Sequence, residues 1–286
     1  MNYIGSKFSL IDFLMTSINK TLEAHEETRA PEEMVFADLL AGTGVVCRAF
    51  ADAGYNVIAN DIQYYSYVIN KHLLDNSGKL DKARCEELVE KLNNLDGVEG
   101  FIYKNYSYGG TEGQEFRRMY FSDNNAKKCD AMRQKIESWK NEGEINENEY
   151  FFLLASLINS VDKYANTASV YGAYLKKLKK SAEKDMVLSP LPITDNVFGS
   201  EVYNRDILDL LDEVSGDILY LDPPYNARQY CSNYHLLETI ARYDEPEIKG
   251  KTGLRDYSAQ KSNFCITGKV EEFFTEIIKK AKFKYI

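Results

Sequence analysis

Apolar and polar positions along the 286-residue chain follow two patterns in alternation. Short apolar runs without helical period read as strands at Met34–Leu40, Asn56–Asp61, Ser200–Asp206 and Ile218–Leu221, with an incipient one at Phe283–Ile286. Apolar residues at helical spacing follow or precede them, as in Leu10, Ile11, Leu14, Met15 and Ile18. Further helices are predicted from Val45 through Phe50, over Ile62–Leu74, from Ile207, through Leu236, Leu237 and Ile240, and over Val270–Lys280. The alternation lapses from Asp75 to about Leu191. That stretch carries helical segments near Asp81–Leu95, Asn124–Glu142 and Asn148–Tyr164, a long Gly- and Tyr-rich loop from Tyr103 to Phe121, and a basic helix at Tyr174–Lys180. Strands alternating with helices predict an α/β fold with a mostly parallel sheet. The expected division is a sheet domain from 1–75 and 195–286, interrupted by a mainly helical insertion at 76–194.

Chemistry concentrates at the ends of the predicted strands. Asp217 to Tyr225 reads Asp-Ile-Leu-Tyr-Leu-Asp-Pro-Pro-Tyr. Pro223 and Pro224 both lack a backbone N–H, so the strand ends there and presents Asp222, two rigid prolines and Tyr225 in sequence. Ligands of open α/β sheets bind outside the carboxyl ends of strands. An Asp-Pro turn capped by a surface tyrosine is the plainer alternative. The first strand runs into Ala41-Gly42-Thr43-Gly44 and then a helix, the arrangement that cradles the polar part of a nucleotide-like cofactor. A bare Gly-x-Gly also serves tight strand-to-helix packing. Asp61 lies 23 positions after Asp38, about where βαβ folds place an acid for ribose hydroxyls. Ser6 caps the first helix, which puts Lys7 in its first turn against the helix dipole and calls for another partner, unless the lysine is simply solvated.

The composition narrows the classes. With 44% hydrophobic and 28% charged residues the chain is of ordinary globular composition. No stretch approaches a membrane span and no apolar signal region opens the chain, so a cytoplasmic protein is expected. Five scattered cysteines without a Cys-x-x-Cys pair predict free thiols rather than a disulfide frame, and no metal site is expected. The net charge of −9 speaks against a generic nucleic-acid coat, yet local patches decide binding. Arg117, Arg118 and the lysines Lys176, Lys177, Lys179 and Lys180 are the candidates for phosphate contacts, with a solvated helix face as the alternative for the lysines.

Taken together, Tyr3-Ile-Gly-Ser-Lys7, Asp38-Leu-Leu-Ala-Gly-Thr-Gly44, Asp61, Asp206 and Asp222-Pro-Pro-Tyr225 occur in an order that resembles the amino-group-methylating DNA adenine methyltransferases, the DNA adenine methylase group among them. The resemblance spans nearly the whole chain. It implies the class I methyltransferase (Rossmann-like) sheet with helices on both faces, S-adenosyl-L-methionine as cofactor and duplex DNA as substrate. It further implies a target-recognition role for the insertion and, in a restriction-modification system, a cognate endonuclease. By the same resemblance Asp222, Pro223, Pro224 and Tyr225 are catalytic. Tyr3, Lys7, Ala41, Gly42, Gly44, Asp61, Asp206 and, besides its catalytic role, Asp222 hold the cofactor, and Asp38 holds either the glycine turn or the cofactor's ammonium. One departure stands out. The family's sheet continues with a fifth strand and a terminal hairpin, whereas this sequence ends at Ile286 as the fifth strand forms. The expectation is a sheet lacking its last strands, completed by a second polypeptide, or a split half that binds DNA without turnover. Methylation of RNA or of a protein amide is the alternative enzyme reading, although those relatives more often carry Asn at position 222.

Overall fold

The computed structural model describes residues 3–76, 78–194, 199–224 and 227–286. In chain order the elements are helix α1 (Ile11–Ala24), strand β1 (Val35–Asp38), α2 (Val45–Asp52), β2 (Asn56–Asn60) and α3 (Tyr64–Asn70). Four helices follow: α4 (Lys82–Asn93), α5 (Phe101–Tyr106), α6 (Asp123–Asn141) and α7 (Glu147–Tyr164). The chain then returns to β3 (Ser200–Tyr203), α8 (Ile207–Leu211) and β4 (Gly216–Tyr220). It closes with α9 (Tyr230–Asn233), α10 (His235–Arg242), α11 (Val270–Lys280) and β5 (Phe283–Tyr285). Among the described residues no helix is long and apolar enough to cross a membrane. All five cysteines are buried, and none of them is in a disulfide.

The five strands form one parallel sheet in the order β3-β2-β1-β4-β5. Alternation along each strand explains why helices cover both faces. On β1, Phe36 points into a cluster with Val46, Cys47 and Phe50 of α2 and Leu22 of α1. Its neighbour Ala37 points the other way, into a cluster with Leu210 and Leu211 of α8 and Phe273 and Ile277 of α11. Ile218 and Leu219 of β4 divide in the same manner. The rings of Phe36 and Phe50 stack with centroids 3.7 Å apart, locking α2 to the strand it follows. Such a pair adds about 0.5–1.5 kcal/mol to the burial of its two rings. The incipient strand at Phe283–Ile286 is paired in the sheet as β5, with Phe283 opposite Gly216 and Tyr285 opposite Ile218. Lys284 on β5 pairs with Glu27, and Arg29 bridges Glu27 to Asp217 on β4. Because β1 lies between β2 and β4, the winding reverses between β1 and β4, and the crevice of such a sheet opens there.

The described residues divide into two packed units. The sheet unit takes in Gly5–Gly78, Asp195–Ala227 and Ser262–Ile286; the helical unit takes in 3–4, Lys79–Thr194 and Arg228–Lys261. The helical unit is thus larger than the 76–194 insertion, because Arg228–Lys261 joins it. Long-range hydrogen bonds explain the assignment. Arg133, buried on α6, donates to the carbonyls of Ile240 and Ala241 at the end of α10. The Tyr106 hydroxyl donates to Gly253 O, and His235 Nε2 meets Tyr171 O at 2.9 Å.

Three local expectations are corrected. The helix after Asp61 starts at Tyr64 because Asp61 Oδ1 accepts the Gln63 amide and holds a turn there; a π-helical turn, Lys71–Asp75, replaces its end. The Tyr103–Phe121 loop opens inside α5, whose first amides, Ile102 and Tyr103, donate to the buried Asp130 carboxylate. Tyr174–Lys180 is not helical. Asn166 takes the groups a helix needs: its Oδ1 accepts from the Lys179 amide, and its Nδ2 donates to Leu175 O.

Candidate active site

The glycine turn is built from both sides of β1. The Ala41 amide donates to Asn60 O at the end of β2, and the Gly44 amide closes back on Ala41 O. Gly42 and Gly44 have φ of 53° and 73°, left-handed conformations that side chains disfavour. At Gly44 a Cβ would also collide with the Asn70 side chain. Asn70 Nδ2 donates to Gly42 O at 3.0 Å, while its Oδ1 is buried without a partner. The turn therefore needs glycine for conformation and for space. It delivers the chain into α2, whose first-turn amides have no intrahelical acceptor.

Asp61 is the second support of this turn. Its Oδ2 accepts the Gly42 amide and its Oδ1 the Gln63 amide, both at 2.8 Å. Asn60, just before it, ties three strand ends together. Its Nδ2 donates to Leu39 O and Arg205 O, and its Oδ1 accepts from the Arg205 amide. Asn204 Nδ2 donates to Asp61 O, so the end of β3 is held against the end of β2. Asp206, exposed, caps α8 by accepting the Leu208 amide at 2.8 Å.

At the switch point, Asp38 ends β1 and Asp222 follows β4. Asp38 is 3% exposed, and its Oδ1 accepts the Leu40 amide at 3.1 Å. Burial, with the charges of Asp222 and Asp61 adding to it, pushes the Asp38 carboxyl up to about 7. Its polar partner is Leu40 rather than the glycine turn, which Asp61 and Asn70 hold. Of the two roles open to Asp38, support of the turn is thus filled by other residues. The group itself is a buried acid facing two other carboxylates, suited to a cation. Lys7 supplies one, forming an ion pair with Asp222 and donating to Gly5 O at 2.9 Å. The Tyr220 phenol, between these acids on β4, is raised well above its ordinary range by burial and by Asp222 and Asp38.

Lys7, Asp38, Ala41, Gly42, Gly44, Asp61, Asp206, Asp222, Pro223 and Pro224 all lie in the sheet unit. Tyr3 belongs to the helical unit, where its ring stacks on Tyr234 at 4.6 Å. Tyr225 lies outside the described residues. Among the basic candidates, Arg118 is buried, with its guanidinium donating to the carbonyls of Asn105, Gly250 and Lys251. That geometry makes it a structural clamp rather than a phosphate contact. Arg117 is partly exposed, and Lys176, Lys177 and Lys180 are exposed, while Lys179 Nζ donates to Thr167 O. Asn60, Asn70 and Asn204 were not anticipated. The available signal was a polar amide at the inner end of an apolar run, as in Ala59-Asn60-Asp61.

The chain as a whole is similar to known proteins. A family model described as D12 class N6 adenine-specific DNA methyltransferase matches residues 3–286. The chain is 50% identical to the type II methyltransferase M.NlaIII of Neisseria lactamica, over its whole length and 82% of that protein. It is 43% identical to M.FokI of Planomicrobium okeanokoites, again over its whole length but over only 44% of the larger protein. Similarity to M.CviAII of Paramecium bursaria Chlorella virus 1 is 38%, over 98% of this chain and 79% of that one. No solved structure matches the chain.

Proposed function

Since the chain belongs to the D12 class N6 adenine-specific DNA methyltransferases, we propose that its sheet unit performs the transfer and its helical unit selects the target. The reading is methylation of the exocyclic N6 of adenine in duplex DNA, in a restriction-modification setting with a cognate endonuclease. The observation that supports it best is the meeting of Asp38, Asp222 and the glycine turn at the point where the strand order reverses.

The residues suit S-adenosyl-L-methionine. Three carboxylates (Asp38, Asp61 and Asp222) act on one small volume, which favours a cationic ligand. The turn beside them has no room for a side chain at Gly44. When bound, that cofactor supplies a methyl group on positively charged sulfur. Asp38 would hold its ammonium, the glycine-turn amides its carboxylate, Asp61 its ribose hydroxyls and Asp206 its adenine.

The remaining work falls to the chain's own groups. The target nitrogen is a weak nucleophile because its lone pair is delocalised into the ring. Asp222 and the Pro223 carbonyl accept its two N–H bonds, turning the lone pair out of the ring plane. Prolines at 223 and 224 keep that carbonyl in place through their fixed φ. Positive charge develops on the nitrogen during transfer, and the Asp222 carboxylate stabilises it. Alignment and placed acceptors of this kind supply several kcal/mol. The base reaches the site only after leaving the duplex, at a cost of a few kcal/mol. Tyr225, next in sequence, is proposed to stack on it.

The test is transfer of labelled methyl from S-adenosylmethionine to duplex DNA, with sequencing of modified adenines. Asp222→Ala is expected to lose at least about 100-fold in kcat while DNA affinity stays within about twofold. Retained turnover would refute the assignment of Asp222.

A further inference from the structure

Arg117 and the lysine run are laced together although Arg117 and Tyr174 lie 57 positions apart. The Tyr174 hydroxyl donates to Arg117 O at 2.8 Å. Asn166 completes the seam, donating to Met119 O and Leu175 O and accepting the Lys179 amide. Exposed Lys176, Lys177 and Lys180 therefore share one surface with Arg117 in the helical unit.

We propose a division of labour on this surface: Arg117, stacked on Tyr108, reads a guanine edge, and Lys176, Lys177 and Lys180 contact phosphates. The inference rests on the DNA-methylating reading above and deepens it. The Arg117 guanidinium carbon sits 3.4 Å from the Tyr108 ring centroid. Its Nε and Nη2 donate to Tyr108 O at 3.3 and 3.1 Å. Stacking and these bonds fix the plane of the fork, leaving its other N–H groups to an outside acceptor. The Glu112 carboxylate, 3.7 Å from Nη1, is a highly exposed neighbour, and such a pair is worth little. A donor-only fork matches guanine, which offers O6 and N7 as two acceptors; adenine offers a donor at one of those places.

The segment that carries the pair is rigid. The Thr111 hydroxyl donates to Ser107 O at 2.6 Å and accepts the Arg118 amide at 2.8 Å. Asp123 Oδ1 accepts the Gly109 amide, and the buried Arg118 guanidinium anchors the segment next to Arg117. A fork held before binding gives up little further freedom on meeting its base. The lysines have no comparable fixation. They are flexible point charges, which suits the sequence-independent backbone.

The experiment uses the full chain on a duplex library of random sequence, with methylated sites sequenced and binding measured against salt. Wild type is expected to require G·C at one position of its motif. Arg117→Ala and Arg117→Lys are both expected to lose about 10- to 100-fold of that discrimination, with the salt slope nearly unchanged. Lys176→Ala/Lys177→Ala/Lys180→Ala is expected to keep the motif, bind all sequences more weakly and show a slope shallower by about 0.9 for each phosphate no longer neutralised. Retained donor binding confirms that each variant is folded. Full discrimination in Arg117→Lys would reduce the residue to a charge and overturn the proposal, as would an unchanged motif in Arg117→Ala. No methylation of any DNA by wild type would instead overturn the functional reading beneath it.

Discussion

The ammonium of Lys7 rests on the carboxylate of Asp222 and is held there by the Gly5 carbonyl. The sequence assigned this lysine to the cofactor; the structure places it on the group proposed to receive the target base. Both partners are mostly shielded, with side chains 17% and 26% exposed, so the pair is not a dispensable surface contact. An ammonium on Asp222 would oppose the positive charge that transfer creates, so under the proposed mechanism Lys7 is expected to leave for turnover. A cofactor carboxylate would draw it away.

Lys7 also lowers the proton affinity of Asp38, against the effect of burial. Lys7→Met should therefore raise the Asp38 value further. The acid limb of kcat/KM against pH is expected to move upward. A limb that stays in place would separate Lys7 from the ionisation of the site.

Asp38 makes a second prediction, with a definite sign. Its folded value of about 7 exceeds the ordinary 3.8, so between those pH values the native state keeps a proton that the unfolded chain has released. The contribution of Asp38 to stability is full below about 4 and is lost as pH rises to about 7, a change on the order of 4 kcal/mol. Asp38→Asn should remove this fall, and urea unfolding at about pH 5 and about pH 8 would reveal it. Donor binding runs the opposite way, strengthening up to about tenfold per unit as Asp38 ionises toward pH ~7. In Asp38→Asn that dependence should vanish and affinity should drop.

Gly44→Ala meets both the left-handed φ of 73° and the Asn70 side chain. A cost of about 2 kcal/mol or more is expected, together with roughly tenfold or greater weakening of donor binding. A variant with wild-type melting and wild-type donor affinity would show the turn to be softer than described.

Arg118→Met separates clamp from contact. Three backbone carbonyls lose their donor in a buried place, so a loss of about 3 kcal/mol is expected in urea unfolding. A variant of full stability with weakened DNA binding would return Arg118 to the phosphate surface.

Local pattern revealed the sheet. Val35–Asp38, Asn56–Asn60 and Gly216–Tyr220 are short apolar runs, and each ends on or just before its acid. The glycine turn and Asp222 were legible for the same reason, since a turn of that chemistry is written in consecutive residues. What escaped was set by side chains acting across long separations. Tyr174–Lys180 has a helical composition, yet Asn166 claims its backbone. Arg228–Lys261 follows the Asp-Pro-Pro-Tyr tetrapeptide, yet Arg133, Arg118 and Tyr106 draw it into the helical unit. Arg118 looked like half of a basic pair beside Arg117, and only its burial distinguishes the two.

The single amide of Asn60 joins the ends of β1, β2 and β3. The stations expected to meet the methionine, ribose and adenine parts of the donor are thereby set to one fixed span, like marks on a ruler. Any change at Asn60 would therefore move Asp38, Asp61 and Asp206 relative to one another rather than one at a time.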